Sequence, residues 1–197
     1  MAHPMLAFDP ATRQLRTPRL LLRPLQPDDA AGLLAIYGHP EVTRYYELDT
    51  LGELAQAQRV LDFFLEHHDR FALVDPLSQR MLGTCGLFFW DRTTRMASFG
   101  YDLAFDSWGQ GLMREAAAAV LAYGFVHKQL NRVNALTAVD NRRSMALLLA
   151  LGFTEEALLR QFAFWKGDFH DMRMFALLRQ QVDDGPLATA LRALGGA

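Results

Sequence analysis

The sequence predicts a mixed α+β domain in which helices flank a central, largely antiparallel, twisted sheet of about seven strands. Segments with the apolar–polar alternation of strands recur along the chain, and longer segments with helical spacing stand between them. Three of the strand patterns follow one another with only short turns between them, which is typical of antiparallel pairing. About half of the 197 residues are hydrophobic (51%), which is enough for one well-filled core.

The first half of the chain contains two predicted helices and then the run of strands. Residues 19–25 alternate like a strand, and Pro27 with the two aspartates after it favours the start of a helix that runs to about Tyr37. Residues 51–67 have helical spacing. Strand patterns then follow at 70–75, 80–90 and 94–105.

The second half begins with SWGQGLMREAAAAVLAYGF, residues 107–125, in which two glycines precede an alanine-rich helix. A strand is predicted at 132–139. A helix over about 141–151 follows, and Gly152 suits the position just past its end.

A hairpin and a short tail complete the chain. Residues 160–178 predict two strands that turn at Gly167 and Asp168. We therefore expect one domain over 1–180 and a C-terminal tail over 181–197. The tail either frays or forms a short helix with three leucines on one face, Leu187, Leu191 and Leu194.

The composition argues against two classes of partner. Lys and Arg (20) nearly balance Asp and Glu (22), so the formal net charge of −2 offers no basic field for nucleic acid or anionic lipid. No apolar run approaches the length of a membrane span, and the first ten residues lack the pattern of a secretion signal. We therefore expect a cytoplasmic protein with neither nucleic acid nor membrane as a partner.

The sequence predicts no disulfide and no metal site. Cys85 is the single cysteine, and its apolar strand predicts that it packs in the core. His67 and His68 are adjacent on a predicted helix and have no ligand-type residues at metal spacing.

The two glycines before the alanine-rich helix predict a loop that binds an anion. The first amide groups of a helix have no internal partners, and Gly109 and Gly111 would let a phosphate approach them without a Cβ in the way. The alternative is a tight turn into a helix. Neither the G-x-x-x-x-G-K-[ST] nor the G-x-G-x-x-G spacing is present, which argues against nucleoside triphosphate and dinucleotide sites.

A second motif is DNRRSMALLLALGF, residues 140–153, at the start of the next helix. Asn141 and Ser144 are three residues apart and fall on one face of this helix start. By themselves they read as an N-cap with a supporting hydroxyl.

The order of these features resembles the GNAT superfamily of acetyl-CoA-dependent N-acetyltransferases, and within it the ribosomal-protein N-terminal acetyltransferase (Rim) group. The resemblance covers most of the chain in the correct order. It is carried by the two motifs above together with four stretches: LRTPRLLLRPLQPDDA (15–30), GTCGL (83–87), FGYDL (99–103) and GDFHDMRMFALL (167–178).

The resemblance implies a GNAT-like fold and a binding site for acetyl-CoA. The loop and helix start would hold the coenzyme pyrophosphate through main-chain amides, with Phe99 and Tyr101 on the neighbouring strand and Asn141 and Ser144 beside the pantetheine arm. The implied loop residues are Trp108, Gly109, Gln110, Gly111, Leu112, Met113 and Arg114. Trp108 and Met113 depart from the wider superfamily pattern, as is common in the Rim-like group. Arg142 and Arg143 could also contact phosphates, although arginines at a helix start are more often solvated.

The resemblance also implies direct attack of an amine on the thioester, with Ser144 as proton donor to the departing thiolate. Many members use a Tyr further along the helix, where this chain has Leu148. The general base stays open: related chains often have Glu where this one has Ser98. Asp102 is our candidate, and the alternatives are His170, Asp171 in the hairpin, or water.

The sequence says least about the amine that accepts the acetyl group. Tyr45 and Tyr46, next to Glu47, are expected to line the amine site together with Ser98 and His170. A protein or peptide N-terminus is the first expectation, and a small-molecule amine is the alternative. A non-catalytic acyl-CoA-binding protein and a nucleotide- or nucleic-acid-binding module are the competing classes. A homodimer, formed through the hairpin or the tail, stays open.

Overall fold

This computed structural model describes residues 6–195 of the chain. Their strands form a single nine-stranded sheet. The strands are β1 (Ala7–Asp9), β2 (Gln14–Arg16), β3 (Leu21–Pro24), β4 (His68–Val74), β5 (Met81–Asp91), β6 (Met96–Leu103), β7 (Arg132–Ala138), β8 (Thr154–Trp165) and β9 (Asp168–Leu178). Their order is β1-β2-β3-β4-β5-β6-β7-β9-β8. All neighbours are antiparallel except β6 and β7, which are parallel.

The helices form two layers, one on each face of the sheet. They are α1 (Ala30–Tyr37), α2 (Pro40–Thr43), α3 (Leu54–His67), α4 (Leu112–His127), α5 (Arg142–Ala150), α6 (Arg179–Val182) and α7 (Ala188–Ala193). Side chains of α1 and α3 bury one face, including Leu33, Ile36 and Leu61. The other face is buried by α4, α5 and α7. A Cβ at Gly124 of α4 would lie 2.8 Å from Leu87 on β5, so this helix lies very close to the sheet.

The mixed α+β class and the flanked, mostly antiparallel sheet are confirmed. The count of about seven strands is too low because β1 and β2 have three residues each, too few for a visible alternation. The position of the hairpin turn is wrong by one residue: Trp165 pairs with Asp168, so Lys166 and Gly167 form the turn and Asp168 belongs to β9.

The tail packs against the domain. Its predicted apolar face is present, since Leu187, Leu191 and Leu194 are at most 9% exposed and belong to the core that contains α4. The ends of the chain, residues 1–5 and 196–197, lie outside the described residues. The division into 1–180 and 181–197 stays a prediction.

The parallel pair β6–β7 separates along its length and creates the opening for a site. Pairing covers only three positions, from Met96 opposite Arg132 to Ser98 opposite Asn134. Beyond them both strands continue for several residues without pairing to each other. Unpaired main-chain donors and acceptors of two strands therefore face one wedge. Within residues 6–195 no helix is both long and apolar enough to cross a membrane.

Candidate active site

A large open cleft of about 1740 Å³ begins at the wedge between β6 and β7. Its walls come from the separated ends of these two strands, the glycine loop and start of α4, the start of α5, the segment after α2, and parts of α3, β5 and β8. The predicted site residues that line it are Tyr45, Tyr46, Ser98, Phe99, Tyr101, Asp102, Trp108, Gly109, Gly111, Leu112, Met113, Arg114, Asn141 and Ser144. The fold thus brings almost all of the predicted site residues to one cavity.

The loop between β6 and α4 has two glycines in the left-handed backbone conformation. Gly109 and Gly111 both have φ of 75°, which residues with a Cβ rarely adopt. A Cβ at Gly109 would meet nothing within 4 Å, and one at Gly111 would lie 3.6 Å from the Arg19 guanidinium. Gly111 is the N-cap of α4 and makes no side-chain cap hydrogen bond, so the first amides of α4 have no intrahelical acceptor. This arrangement suits an anion.

Arg19 and Glu115 hold the glycine loop in place. The Arg19 guanidinium donates to the Gln110 carbonyl (2.8 Å) and to Glu115 Oε2 (2.7 Å). Glu115 Oε1 accepts from the Thr17 hydroxyl (2.6 Å). Burial opposes ionisation of Glu115, but the hydrogen bonds from Thr17 and Arg19 outweigh it and lower the pKa of Glu115. Sequence reasoning missed this pair because nothing local links residues that are 96 positions apart.

Trp108 connects the glycine loop to the end of β6 and to the start of α5. Its indole N–H donates to the Leu103 carbonyl at the end of β6 (2.8 Å). The Arg143 guanidinium lies over its ring, 4.8 Å from the ring centroid, which ties the loop to the start of α5. Leu112 and Met113 are buried, so they offer the cleft mainly their main-chain groups, whereas Arg114 is exposed.

The start of α5 brings Ser144 against Tyr101 of β6. The two hydroxyl oxygens are 2.8 Å apart. Asn141 caps α5 as predicted, because its side-chain oxygen accepts from the Ser144 N–H (3.1 Å). Burial raises the pKa of Tyr101 well above its ordinary value, although the Ser144 hydrogen bond lowers it in part. Tyr101 therefore stays protonated and can donate to Ser144.

Asp102 lies on the opposite face of β6 from Tyr101, is 4% exposed, and accepts from four side chains. The Tyr37 hydroxyl is 2.6 Å away and the Thr84 hydroxyl 3.1 Å, while Tyr46 donates a third bond and Arg70 forms an ion pair. Burial first, and then the carboxylate charge, raise the pKa values of Tyr37 and Tyr46, so both phenols act as donors. Arg70 is the first residue of the strand predicted at 70–75, a position where a charge gave no sign of burial.

Of the residues predicted for the acceptor side, some line the cleft and others do not. Tyr45 and Tyr46 line the cleft, as does Ser98. His170 is not among the lining residues: its ring stacks on Trp165 at 3.8 Å, and its Nε2 lies 3.1 Å from the Trp165 carbonyl. Asp171 accepts from the Gln161 N–H in the hairpin (2.8 Å). Trp165, on which His170 stacks, lines the cleft, and His170 does not.

Two further sequence-based predictions concern Cys85 and metal binding. Cys85 is fully buried, and burial raises the pKa of its thiol, as suits a core residue. Among the described residues there is no group of three or more His, Cys, Asp or Glu side chains that could hold a metal ion. The side chain of His68 lies outside this description.

Comparison with known proteins agrees with this geometry. The model of the acetyltransferase (GNAT) domain family matches residues 19–154, which is more than half of the chain. The chain belongs to the GNAT acetyltransferase family. A relative from Bacillus licheniformis, named uncharacterized N-acetyltransferase p20, is 36% identical over 172 residues, 85% of this chain and 97% of its own length.

Two other similar proteins carry names that specify an acceptor. The [ribosomal protein uS5]-alanine N-acetyltransferase of Escherichia coli is 30% identical over 108 residues, 54% of this chain and 56% of its own length. The structure of spermidine N-acetyltransferase from Vibrio cholerae with CoA and spermine has a TM-score of 0.73 and 21% identity, over 83% of this chain and 97% of that chain. At this identity the second likeness shows the fold alone.

Membership of the GNAT family makes this chain an acetyl-CoA-dependent acyltransferase. The residues of the cleft fit such a co-substrate. The uncapped start of α4 beside open space suits the pyrophosphate, and the wedge between β6 and β7 suits an extended chain that carries amides. The glycine loop at Gly111 and the start of α5 at Asn141 are 30 residues apart in sequence. The fold brings both to one cleft.

Proposed function

We propose that this GNAT enzyme transfers the acetyl group of acetyl-CoA to the N-terminal amine of a protein or peptide by direct attack. One observation carries the proposal: the Tyr101–Ser144 hydroxyl pair lies in the same cleft as the uncapped start of α4 and the acceptor-side tyrosines. A donor for the leaving group, a site for the coenzyme and a wall for the amine are thereby combined.

The negative charge of the pyrophosphate determines where the coenzyme binds in this proposal. Its pyrophosphate binds the main-chain amides of Gly109–Arg114, with Trp108 and Gln110 shaping the loop. Its pantetheine arm enters the wedge beside Phe99, Tyr101 and Asn141. Arg142 and Arg143 are exposed next to this site and add positive charge. Arg19 supports the loop through its hydrogen bonds to Glu115 and to the Gln110 carbonyl.

Ser144 is the proton donor in this proposal. The amine nitrogen attacks the thioester carbon, the N–C bond forms and the C–S bond breaks. Ser144 gives its proton to the sulfur as the thiolate leaves and regains one from solvent. In this proposal Tyr101 donates to the Ser144 oxygen, which leaves the Ser144 proton free to point toward the sulfur. Tyr101 therefore orients Ser144.

The proton lost by the amine goes to water. The sequence-based choice of Asp102 as base stays a prediction. The geometry favours water because four donors, among them Arg70 and Tyr46, occupy the Asp102 carboxylate. Asp102 instead holds the Tyr46 hydroxyl in the wall of the cleft.

The acceptor side favours a peptide over a polyamine. Aromatic side chains line it, namely Tyr45, Tyr46, Phe63, Phe64, Phe88, Phe89, Phe162 and Trp165. Three of the five carboxylates at the cleft form ion pairs: Glu41 with Arg44, Asp49 with Lys166, and Asp102 with Arg70. A polyamine with several charges needs more free carboxylates, whereas a single ammonium needs one, such as the exposed Glu47. The E. coli relative named for ribosomal protein uS5 supports the same choice.

The test is release of free coenzyme A from acetyl-CoA across matched acceptors. The panel comprises short peptides with free N-termini, the same peptides with blocked N-termini, spermidine, and small aromatic amines. We expect turnover with free N-termini and none with blocked ones. Turnover with spermidine or small amines alone would replace the peptide by a small-molecule acceptor. Coenzyme binding without turnover on any amine would instead indicate a non-catalytic acyl-CoA-binding protein.

A further inference from the structure

Large apolar side chains of β7, β8 and β9 lie together on the face of the sheet that points away from α4. Ala135 of β7 belongs to the core under α4, so Leu136, the next residue, points to the other face. Residues directly opposite each other on neighbouring strands share a face. Leu136 lies opposite Met174, and Met172 lies opposite Leu159. We call this set the apolar patch: Leu136, Leu159, Trp165, Met172 and Met174.

The helices of this face leave the apolar patch uncovered. The core that α1 and α3 bury contains Ala72 and Val74 of β4, but none of its residues in the described part of the chain comes from β7, β8 or β9. Leu136 is 44% exposed, and the other aliphatic members of the patch are half-buried. An antiparallel sheet that faces water on one side normally has polar residues on that side. A contiguous apolar surface at such a place marks an interaction site.

The apolar patch is continuous with the candidate active site. All five of its residues line the same cleft as Ser98 and Ser144. Leu136 lies two positions beyond Asn134, the last residue of β7 that pairs with β6, so the patch begins inside the wedge. In the proposed function the coenzyme approaches from the side of α4. An acceptor that reaches the wedge from the opposite face therefore passes over the patch.

The segment after α2 crosses one end of the apolar patch. The Tyr45 hydroxyl donates to the Asp140 carbonyl just after β7 (3.5 Å). Lys166, in the turn between β8 and β9, donates to the Leu48 carbonyl (3.3 Å). Because β9 lies between β7 and β8, residues 45–49 span all three strands at this end. A surface bridged in this way admits an extended chain more readily than the flat face of a second protein molecule.

We propose that the apolar patch binds a large apolar side chain within the first two residues of the acceptor peptide. This inference rests on the proposed function, since it names the class of N-terminus that is acetylated. The exposed carboxylate of Glu47, in the crossing segment, complements the charge of the N-terminal ammonium. Met172 and Met174 are unbranched and adapt to leucine, methionine or phenylalanine. A charged side chain would lose water there without gaining a partner.

The first test compares acceptor peptides that differ in one side chain. The peptides have equal length and free N-termini and carry Leu, Phe, Ala or Asp at position 1 or at position 2. At one of these positions we expect kcat/KM for Leu and Phe to exceed that for Ala about 10-fold or more, because the larger side chain is buried. The Asp peptide should react more slowly than the Ala peptide.

The second test changes the apolar patch. Leu136→Gln and Met174→Gln, made separately, keep the length of the side chain and remove its apolar end. Each should lower kcat/KM for the Leu peptide about 5- to 10-fold and bring it close to that for the Ala peptide. Coenzyme A affinity, measured by calorimetry, should stay unchanged. A general loss of folded enzyme would reduce both peptides equally and leave their ratio as it is.

Leu158→Gln is the matched control. Leu158 precedes Leu159 on β8 and is 50% exposed, but it points to the opposite face and is not among the residues lining the cleft. This variant should leave kcat/KM for both peptides unchanged.

Two outcomes would overturn the inference and leave the proposed function intact. One is equal kcat/KM for the Leu and Ala peptides with wild-type enzyme. The other is a wild-type dimer in sedimentation velocity that Leu136→Gln dissociates without changing the ratio between the peptides, which would assign the apolar patch to a second copy of the chain. If the wild type acetylates no peptide with a free N-terminus, the proposed function fails, and this inference fails with it.

Discussion

The Tyr101 hydroxyl lies 2.8 Å from the Ser144 hydroxyl and joins β6 to α5 across the wedge between β6 and β7. Burial keeps the Tyr101 phenol protonated by raising its pKa, so Tyr101 can donate in this bond. In the proposed reaction this contact directs the Ser144 proton toward the leaving sulfur. Two of the predictions below test this contact.

Replacing Ser144 with Ala should lower kcat about 100-fold or more, because protonation of the departing thiolate contributes a rate factor of that order. Coenzyme A affinity should change far less, since only the hydroxyl is removed and alanine suits a helix. Steady-state kinetics and calorimetry measure the two effects separately. Equal losses of affinity and rate would mean that Ser144 binds the coenzyme and donates no proton.

Replacing Tyr101 with Phe should lower kcat about 3- to 10-fold, because one neutral hydrogen bond to Ser144 is lost. Since Tyr101 acts through Ser144, the double variant Tyr101→Phe/Ser144→Ala should be no slower than Ser144→Ala alone. A double-mutant cycle measures this coupling. Rate losses that multiply would show that Tyr101 acts independently of Ser144.

Replacing Gly111 with Val should weaken coenzyme A binding about 10-fold or more, because valine disfavours a φ of 75° and its side chain adds bulk at the anion site. Gly167→Val is the matched control: Gly167 also has a left-handed φ, of 87°, and open space around it, but lies in the β8–β9 turn. It should lose stability and keep its affinity. Unchanged affinity in folded Gly111→Val would exclude this placement of the pyrophosphate.

Glu115 should make stability depend on pH in the acid range. The native pKa of Glu115 is lowered by its hydrogen bonds from Thr17 and Arg19, which outweigh burial, so folding favours the ionised form. This contribution is complete above the ordinary pKa of a glutamate, 4.5, and is lost as the pH falls through the lowered native value. Wild type should therefore be more stable than Glu115→Gln at pH 7, and the difference should shrink in acid.

The control for this measurement is Glu156→Gln. Glu156 also has a lowered pKa, caused first by its hydrogen bond from Arg132, but it lies at the surface, where ion pairs contribute little. Thermal melts from pH 7 down to pH 3 should show a much smaller effect for this variant. A Glu115→Gln difference that stays constant with pH would mean that the charge of Glu115 does not support the loop.

Most elements and both motifs could be predicted from the sequence because their signals are local. Gly109 and Gly111 before an alanine-rich segment, and Asn141 three residues before Ser144, are patterns within one turn of backbone. The structure confirms the Asn141 cap. The strands β1 and β2 were missed because three residues do not establish a period. His170 was expected at the acceptor side, but it stacks on Trp165 and is not among the residues that line the cleft.

The sequence by itself determined the α+β class, the loop at the start of α4, the capped start of α5 and the resemblance to the GNAT family. Only the tertiary structure decided which distant groups meet: Arg19 with Glu115, Tyr101 with Ser144, and Arg70 with Asp102. Local patterns report backbone conformation and which face is apolar. Pairing between polar groups 32 to 96 residues apart depends on strand order and register, which no single segment encodes.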